Sequence, residues 1–199
     1  MAYKHLKRVI DFTGASVLGI LLSPVLALTA LAIKFDSSGP VLFRQERLGY
    51  KGRVFRMLKF RSMVVGAESQ GTGVYSYKGD RRITRVGRFI RATSLDELPQ
   101  LFNILKGEMS FIGPRPALTY HPWTFDKYDN EQKRMFEVLP GITGWAQVHG
   151  RKEVPWPERI KLNVEYVDNI SFRLDLKIFV STFFKVLTNA NNNNTSKTN

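Results

Sequence analysis

The sequence predicts an α+β protein, mainly helical. An N-terminal helix–break–helix in a membrane precedes a globular domain with a small β-hairpin and interfacial amphipathic helices. Three observations predict it. Residues 12–33 are almost wholly apolar, apart from small or hydroxyl side chains and Pro24. Two runs that read as strands, 41–45 and 54–61, flank a turn at Gly49-Tyr50-Lys51-Gly52. Apolar residues at helical spacing recur over 95–105 and 174–187.

The N-terminal element comes first. Residues 1–8 are basic, with Lys4, Lys7 and Arg8, and the apolar run that follows makes about 33 Å of helix, enough to cross a bilayer core. A cleaved signal peptide has Ala30-Leu31-Ala32 as its site, but the run is long for one. A spanning helix separates its two flanks, yet both are basic: Lys34, Arg44 and Arg47 follow the run, so the positive-inside rule gives no orientation. A re-entrant form uses Ser23-Pro24. Proline removes a backbone hydrogen bond and crowds the carbonyl of Ile20, and Ser23 is placed to satisfy a freed carbonyl. The residues alone leave spanning and re-entrant forms open; both attach the chain to a membrane.

In the hairpin, Lys59 and Arg61 are two residues apart and face the same way if the strand continues. They form either an exposed basic face or a cationic wall beside a phosphate. Residues 68–82 are polar and rich in Gly, Ser and Tyr, which predicts a loop, and this loop is one place where substrate choice can reside. Arg81, Arg85 and Arg88 then share a helical face, solvated or against lipid headgroups, with Ile83, Val86, Phe89 and Ile90 towards the core. Arg91 lies closest to the acids that follow.

Those acids, Asp96 and Glu97, sit in a helix predicted over 94–107, with Leu95, Leu98, Leu101, Phe102 and Leu105 as its apolar stripe. Gly107 stops it, after Lys106 at the negative end of the helix dipole. Pro99 belongs in the first turn, which puts the N-cap near 94–96 and gives Ser94 and Glu97 capping-box spacing. Capping alone explains two acids here. Their neighbours offer a second reading: arginines upstream and Gly113-Pro114-Arg115-Pro116 downstream suit phosphate chemistry with a metal. Adjacent helical residues point in different directions, so the two acids have different jobs. Two prolines hold Arg115 at low entropic cost, as bidentate phosphate binding requires, although a rigid turn with an exposed arginine reads the same way.

Further on, a helix is expected over 130–137 in a mixed polar segment. Residues 140–151 form a glycine-punctuated loop around Trp145, which either approaches a nucleotide or packs. Residues 174–187 present a wide apolar face to a membrane interface or to the domain. The Asn-rich tail from 189 is low-complexity and expected to be disordered. The domain organisation is therefore 1–36 membrane-associated, 37–188 globular and 189–199 tail.

Composition bounds the chemistry. The absence of cysteine removes disulfides, thiolate nucleophiles and Cys-type zinc sites, and His5, His121 and His149 are far apart. Carboxylates remain as the chemical groups. A formal net charge of +13 implies an anionic partner: nucleic acid, anionic lipid or a phosphorylated substrate.

Together, Ser23-Pro24, Lys59-Phe60-Arg61-Ser62-Met63, residues 94–107, residues 109–116 and residues 140–151 resemble the bacterial sugar transferases, the small monotopic phosphoglycosyl transferases that initiate glycoconjugate assembly. The resemblance covers nearly all of residues 6–187. It implies transfer of a sugar phosphate from a UDP-sugar to a polyprenyl phosphate, usually undecaprenyl phosphate, with release of UMP, at the cytosolic face of the inner membrane and through a re-entrant helix. By the same match Asp96 is the nucleophile that carries a covalent phosphosugar, Glu97 assists, and Mg²⁺ bridges the pair and the diphosphate. Arg91 and Arg115 carry over as phosphate contacts, with Lys59, Arg61 and Arg151 as further phosphate or nucleotide contacts. The chain departs from relatives at Asn163, where an acid is often found. It also lacks the several-helix extension of larger members, so no second activity is expected. The rival classes are a membrane-anchored nucleic-acid binder and a non-catalytic membrane scaffold. No basic stripe with interleaved aromatics appears, so nucleic acid is not the expected partner, and the intact acid pair argues against a scaffold.

Overall fold

In the computed structural model the described residues are 2–77, 79–150 and 154–187. Arg151 and the Asn-rich tail lie outside them. Helix α1 (Ala2–Leu21) and helix α2 (Ser23–Asp36) meet at Leu22 with a bend of 63°. The cause is local. Pro24 has no N–H for the carbonyl of Ile20, and the Ser23 hydroxyl donates to that carbonyl instead, at 2.7 Å. Among the described residues no single helix is long and apolar enough to cross a membrane; α1 and α2 pass that test only as a bent pair.

One face of α1 is docked on the rest of the protein by polar groups. Lys7 and the Tyr3 hydroxyl donate to Asp175 at 2.7 and 2.6 Å, and Arg8 donates to the carbonyls of Ile104 and Leu105. Asp11 accepts from the Phe111 backbone N–H at 3.1 Å, and Ala15 is fully buried. Away from this face Val9, Phe12, Ile20 and Leu21 are exposed, and Leu28, Leu31 and Phe35 continue that apolar surface on α2.

The hairpin forms as expected, with longer first and shorter second strands: β1 (Leu42–Leu48) pairs antiparallel with β2 (Val54–Phe60). Helix α3 (Arg85–Ala92) is capped by Thr84, whose hydroxyl accepts from Gly87 N–H at 2.9 Å. The predicted 94–107 helix is broken into a 3₁₀ turn (Leu95–Glu97) and α4 (Gln100–Lys106), ending as expected at a left-handed Gly107. The helix expected over 130–137 is likewise only one turn, α5 (Asn130–Lys133), followed by a 3₁₀ turn.

A second strand pair, which periodicity did not single out, joins β3 (Ser110–Ile112) in parallel to β4 (Gly141–Thr143). Helices α6 (Trp145–Val148), α7 (Trp156–Asp168) and α8 (Phe172–Leu187) complete the order. Helix α8 packs one face on the domain and leaves its other apolar face exposed. Ile178 is buried in the core with Tyr166 and Trp145, whereas Phe172, Leu176, Phe179, Phe183 and Phe184 are exposed.

Candidate active site

The elbow between α3 and α4 places the two acids. Ser94 turns the chain there with φ of 58°, a left-handed conformation that costs a non-glycine residue about 1 kcal/mol. It makes no capping hydrogen bond, so the anticipated capping box is absent. The reason is that Glu97 has stronger partners. Its Oε1 accepts from Lys59 Nζ at 2.9 Å and from Arg115 Nη2 at 3.4 Å.

Two sets of backbone contacts bring those cations in. Asn103, fully buried on α4, accepts from Leu58 N–H and donates to the Arg56 carbonyl, each at 2.9 Å, which fixes α4 against β2 beside Lys59. The Pro-Arg-Pro turn is stitched on both sides. Gly113 N–H donates to the Thr143 carbonyl and Gly141 N–H to the Pro114 carbonyl, while Leu48 N–H donates to the Ala117 carbonyl. A Cβ on Gly141 or Gly144 would come within 2.1 Å of Gly113 backbone, so the glycines of the 140–151 loop serve this close approach. Arg47 adds a side-chain bond to the Pro116 carbonyl at 3.0 Å.

The electrostatics separate the two acids. Burial works to raise the Glu97 carboxyl, but Lys59 and Arg115 outweigh it and hold it down to about 2. Asp96 makes no hydrogen bond or ion pair among the described residues. Burial pushes its carboxyl above the usual range, and the more distant charges of Lys59, Arg91 and Arg115 only partly oppose the shift. One carboxylate is clamped and ionised; its neighbour is desolvated and held by no described residue. A desolvated carboxylate without partners, in a cationic field, is suited to attack an electrophile that carries negative charge.

The profile of the bacterial sugar transferases matches residues 2–189. This chain belongs to that family. In it, the uncharacterized sugar transferase EpsL of Bacillus subtilis is 44% identical over 183 residues, 92% of this chain and 87% of that protein. A UDP-glucose:undecaprenyl-phosphate glucose-1-phosphate transferase of Xanthomonas campestris is 46% identical over 82% of this chain. A UDP-N-acetylgalactosamine-undecaprenyl-phosphate N-acetylgalactosaminephosphotransferase of Aeromonas hydrophila is 43% identical over 94% of it. Only 35% and 44% of those two longer proteins are covered, so this sugar transferase spans less than half their length.

Of the residues expected in the site, Asp96, Glu97, Lys59 and Arg115 come together. Arg91 acts on Asp96 through its charge, while its guanidinium donates to the Ser76 hydroxyl at 2.6 Å. Arg61 does not join them. Strand β2 ends at Phe60, and Arg61 turns to donate to the carbonyls of Ser37 and Ser38, just past the negative end of α2. Ser23 and Pro24 sit at the α1–α2 bend. Asn163 is buried on α7, and its Oδ1 has no hydrogen-bond partner among the described residues.

Sequence reasoning missed Arg47 and Asn103 as builders of the site. Burial lowers the Arg47 guanidinium to about 10, with a further contribution from Arg115 nearby. A visible signal existed for Asn103, an amide inside an otherwise apolar helical stretch; none marked Arg47.

Among the described residues no group of three or more His, Asp or Glu forms a metal cage. The donor set still fits Mg²⁺, which commonly uses one or two carboxylates with substrate phosphate oxygens and water. Both cations bond Oε1 of Glu97, leaving Oε2 and the Asp96 carboxylate without hydrogen bonds among the described residues.

Proposed function

We propose that this sugar transferase moves a sugar-1-phosphate from a UDP-sugar to undecaprenyl phosphate and releases UMP, with Asp96 as nucleophile. The observation that carries the reading is the pairing of a desolvated Asp96, unbonded among the described residues, with a Glu97 fixed by Lys59 and Arg115. The relatives' names supply the substrates, and family membership favours the transferase over the nucleic-acid-binding reading.

An Asp96 oxygen attacks the β-phosphorus, the bond from that phosphorus to the bridging oxygen breaks, and UMP leaves with the bond's electrons. An oxygen of the lipid phosphate then attacks the aspartyl phosphosugar and restores the carboxylate. Asp96 needs no general base because a carboxylate is already a nucleophile when ionised. Arg91 and Arg115 reduce the repulsion between Asp96 and the anionic diphosphate, and Lys59 keeps Glu97 in place. Bound by Asp96 and Glu97, Mg²⁺ would neutralise diphosphate charge. The bent α1–α2 pair, entering and leaving on the cytosolic side, would hold the site at the height of the lipid phosphate.

The test is intact mass of the purified protein after exposure to Mg²⁺ and a panel of UDP-sugars without lipid. A phosphosugar adduct should form, be absent in Asp96→Asn, and be discharged by undecaprenyl phosphate. Lipid-dependent UMP release without an adduct would replace covalent catalysis by direct attack, and normal turnover in Asp96→Asn would remove Asp96 from the mechanism.

A further inference from the structure

The loop between the hairpin and α3 has almost no regular structure, yet one residue organises it. Arg82, which is buried, donates to the carbonyls of Ala67, Gln70, Gly73 and Tyr75 at 2.6–2.8 Å, to the Thr72 hydroxyl at 2.9 Å, and to Asp80 at 2.7 Å. A guanidinium has five N–H donors in a planar fork, and here all three nitrogens are engaged inside the loop, Nε through Asp80 at 3.0 Å. Arg82 therefore faces no substrate. It fixes what the loop presents.

The loop presents Tyr75 and Ser76. Ser76 accepts from Arg91, the arginine whose charge reaches Asp96. Tyr75 is 58% exposed, and its hydroxyl shares a 2.6 Å hydrogen bond with His121 Nε2, the two rings lying edge to face at 5.5 Å. His121 follows closely on the Pro-Arg-Pro turn. Arg159 on α7 feels the charges of both Arg115 and Tyr75. The aromatic pair thus ties the loop that holds Arg91 to the segment that follows Arg115.

We propose that Tyr75 and His121 form the wall that selects the sugar of the donor, with Arg82 as its positioning residue. The proposal rests on the reaction described above. Two rings with polar tips, held next to cationic phosphate contacts, match a pyranose: apolar C–H faces with hydroxyls at the edge. Relatives of 46% and 43% identity carry names with different sugars, so sugar choice lies in local contacts rather than in the shared frame. Tyr75 sits in a loop of the kind that varies without disturbing that frame.

The experiment measures kcat/KM of the full chain with undecaprenyl phosphate for a panel of UDP-sugars, and inhibition by UDP, which lacks the sugar. Tyr75→Ala and His121→Ala should lower kcat/KM for the preferred donor roughly 10-fold or more and shrink its advantage over the next donor by a similar factor. UDP inhibition should hold. Tyr75→Phe, which keeps the ring, should show a smaller loss of discrimination. Arg82→Lys, unable to bridge four carbonyls, should raise KM for the donor more than it lowers kcat. Tyr75 is exposed, so an unchanged Tm for Tyr75→Ala separates these effects from unfolding. Unchanged donor ratios overturn the proposal, as does UDP inhibition weakened by the same factor, which assigns the pair to the nucleotide. Wild type that releases no UMP with any UDP-sugar refutes the reaction itself, before selectivity is read.

Discussion

Asp96 and Asp175 are both acids drawn into the protein, and the protein treats them in opposite ways. Asp175, 5% exposed, accepts from Lys7, from the Tyr3 hydroxyl and from the Tyr166 hydroxyl at 2.6–2.7 Å. It is the junction of α1, α7 and α8. Asp96, at the α3–α4 elbow, accepts from nothing among the described residues. A buried acid whose oxygens are filled holds elements together; one left empty beside cations is available for chemistry.

Exchanging the two roles by mutation gives the largest expected effects. Asp96→Asn should reduce UMP release about 10³-fold or more, as loss of a nucleophile does, with the far-ultraviolet spectrum unchanged. Asp175→Ala should do the reverse. It strands the part-buried Lys7 and removes the acceptor for two tyrosines, a loss of about 3 kcal/mol in stability. Activity per folded molecule, measured after removing aggregate, should stay within a few-fold of wild type. An Asp175 variant that folds normally but cannot turn over would collapse the distinction.

A smaller effect is expected where an acid has an exposed partner. The Arg115 side chain is 42% exposed, so its ion pair with Glu97 contributes little to stability, roughly 0–1 kcal/mol. Its fork still distinguishes it from a point charge. Arg115→Lys should leave the melting temperature nearly unchanged while raising KM for the UDP-sugar ~10-fold. Steady-state kinetics and a thermal melt on one sample decide it; a melt that falls while KM holds would make Arg115 a structural residue.

These contrasts show what was legible in the sequence. Pro24 announces its own bend, because its missing N–H and the Ser23 hydroxyl act within one turn of chain. Gly107 ends α4 for an equally local reason. The candidate acids were visible as residue types, and so were Lys59 and Arg115. Which arginine goes where was not. Arg61, Arg82 and Arg115 look alike as text, yet one binds the end of α2, one knots a loop and one meets Glu97. Their fates depend on partners up to 24 residues away, which helical or strand periodicity does not encode. The failed capping box has the same origin: Ser94 and Glu97 had the right spacing, but Lys59, 38 positions earlier, supplied the stronger partner. The parallel β3–β4 pair was hidden because each strand has three residues, too few to show a period.

The finest test compares Asp96 with its neighbour through pH. Glu97 has its folded value lowered to about 2, so its ionised form stabilises the fold above the unfolded value near 4.3, and that contribution disappears as pH falls through about 2. Asp96 has its folded value raised. Its contribution is fully present below the unfolded value near 3.9 and is lost as pH rises through the folded value, so at neutral pH the ionised carboxylate destabilises the fold. Glu97→Gln should therefore lower the melting temperature at pH 7, by on the order of 1–3 kcal/mol in stability. Asp96→Asn should raise it by a smaller amount, and that gain should shrink as the pH is taken below 4. Melting curves from pH 3 to 8 in one detergent read both slopes. A loss of stability in Asp96→Asn at pH 7 would mean that Asp96 already has the partners the structure denies it, and the acid would belong with Asp175 as part of the scaffold.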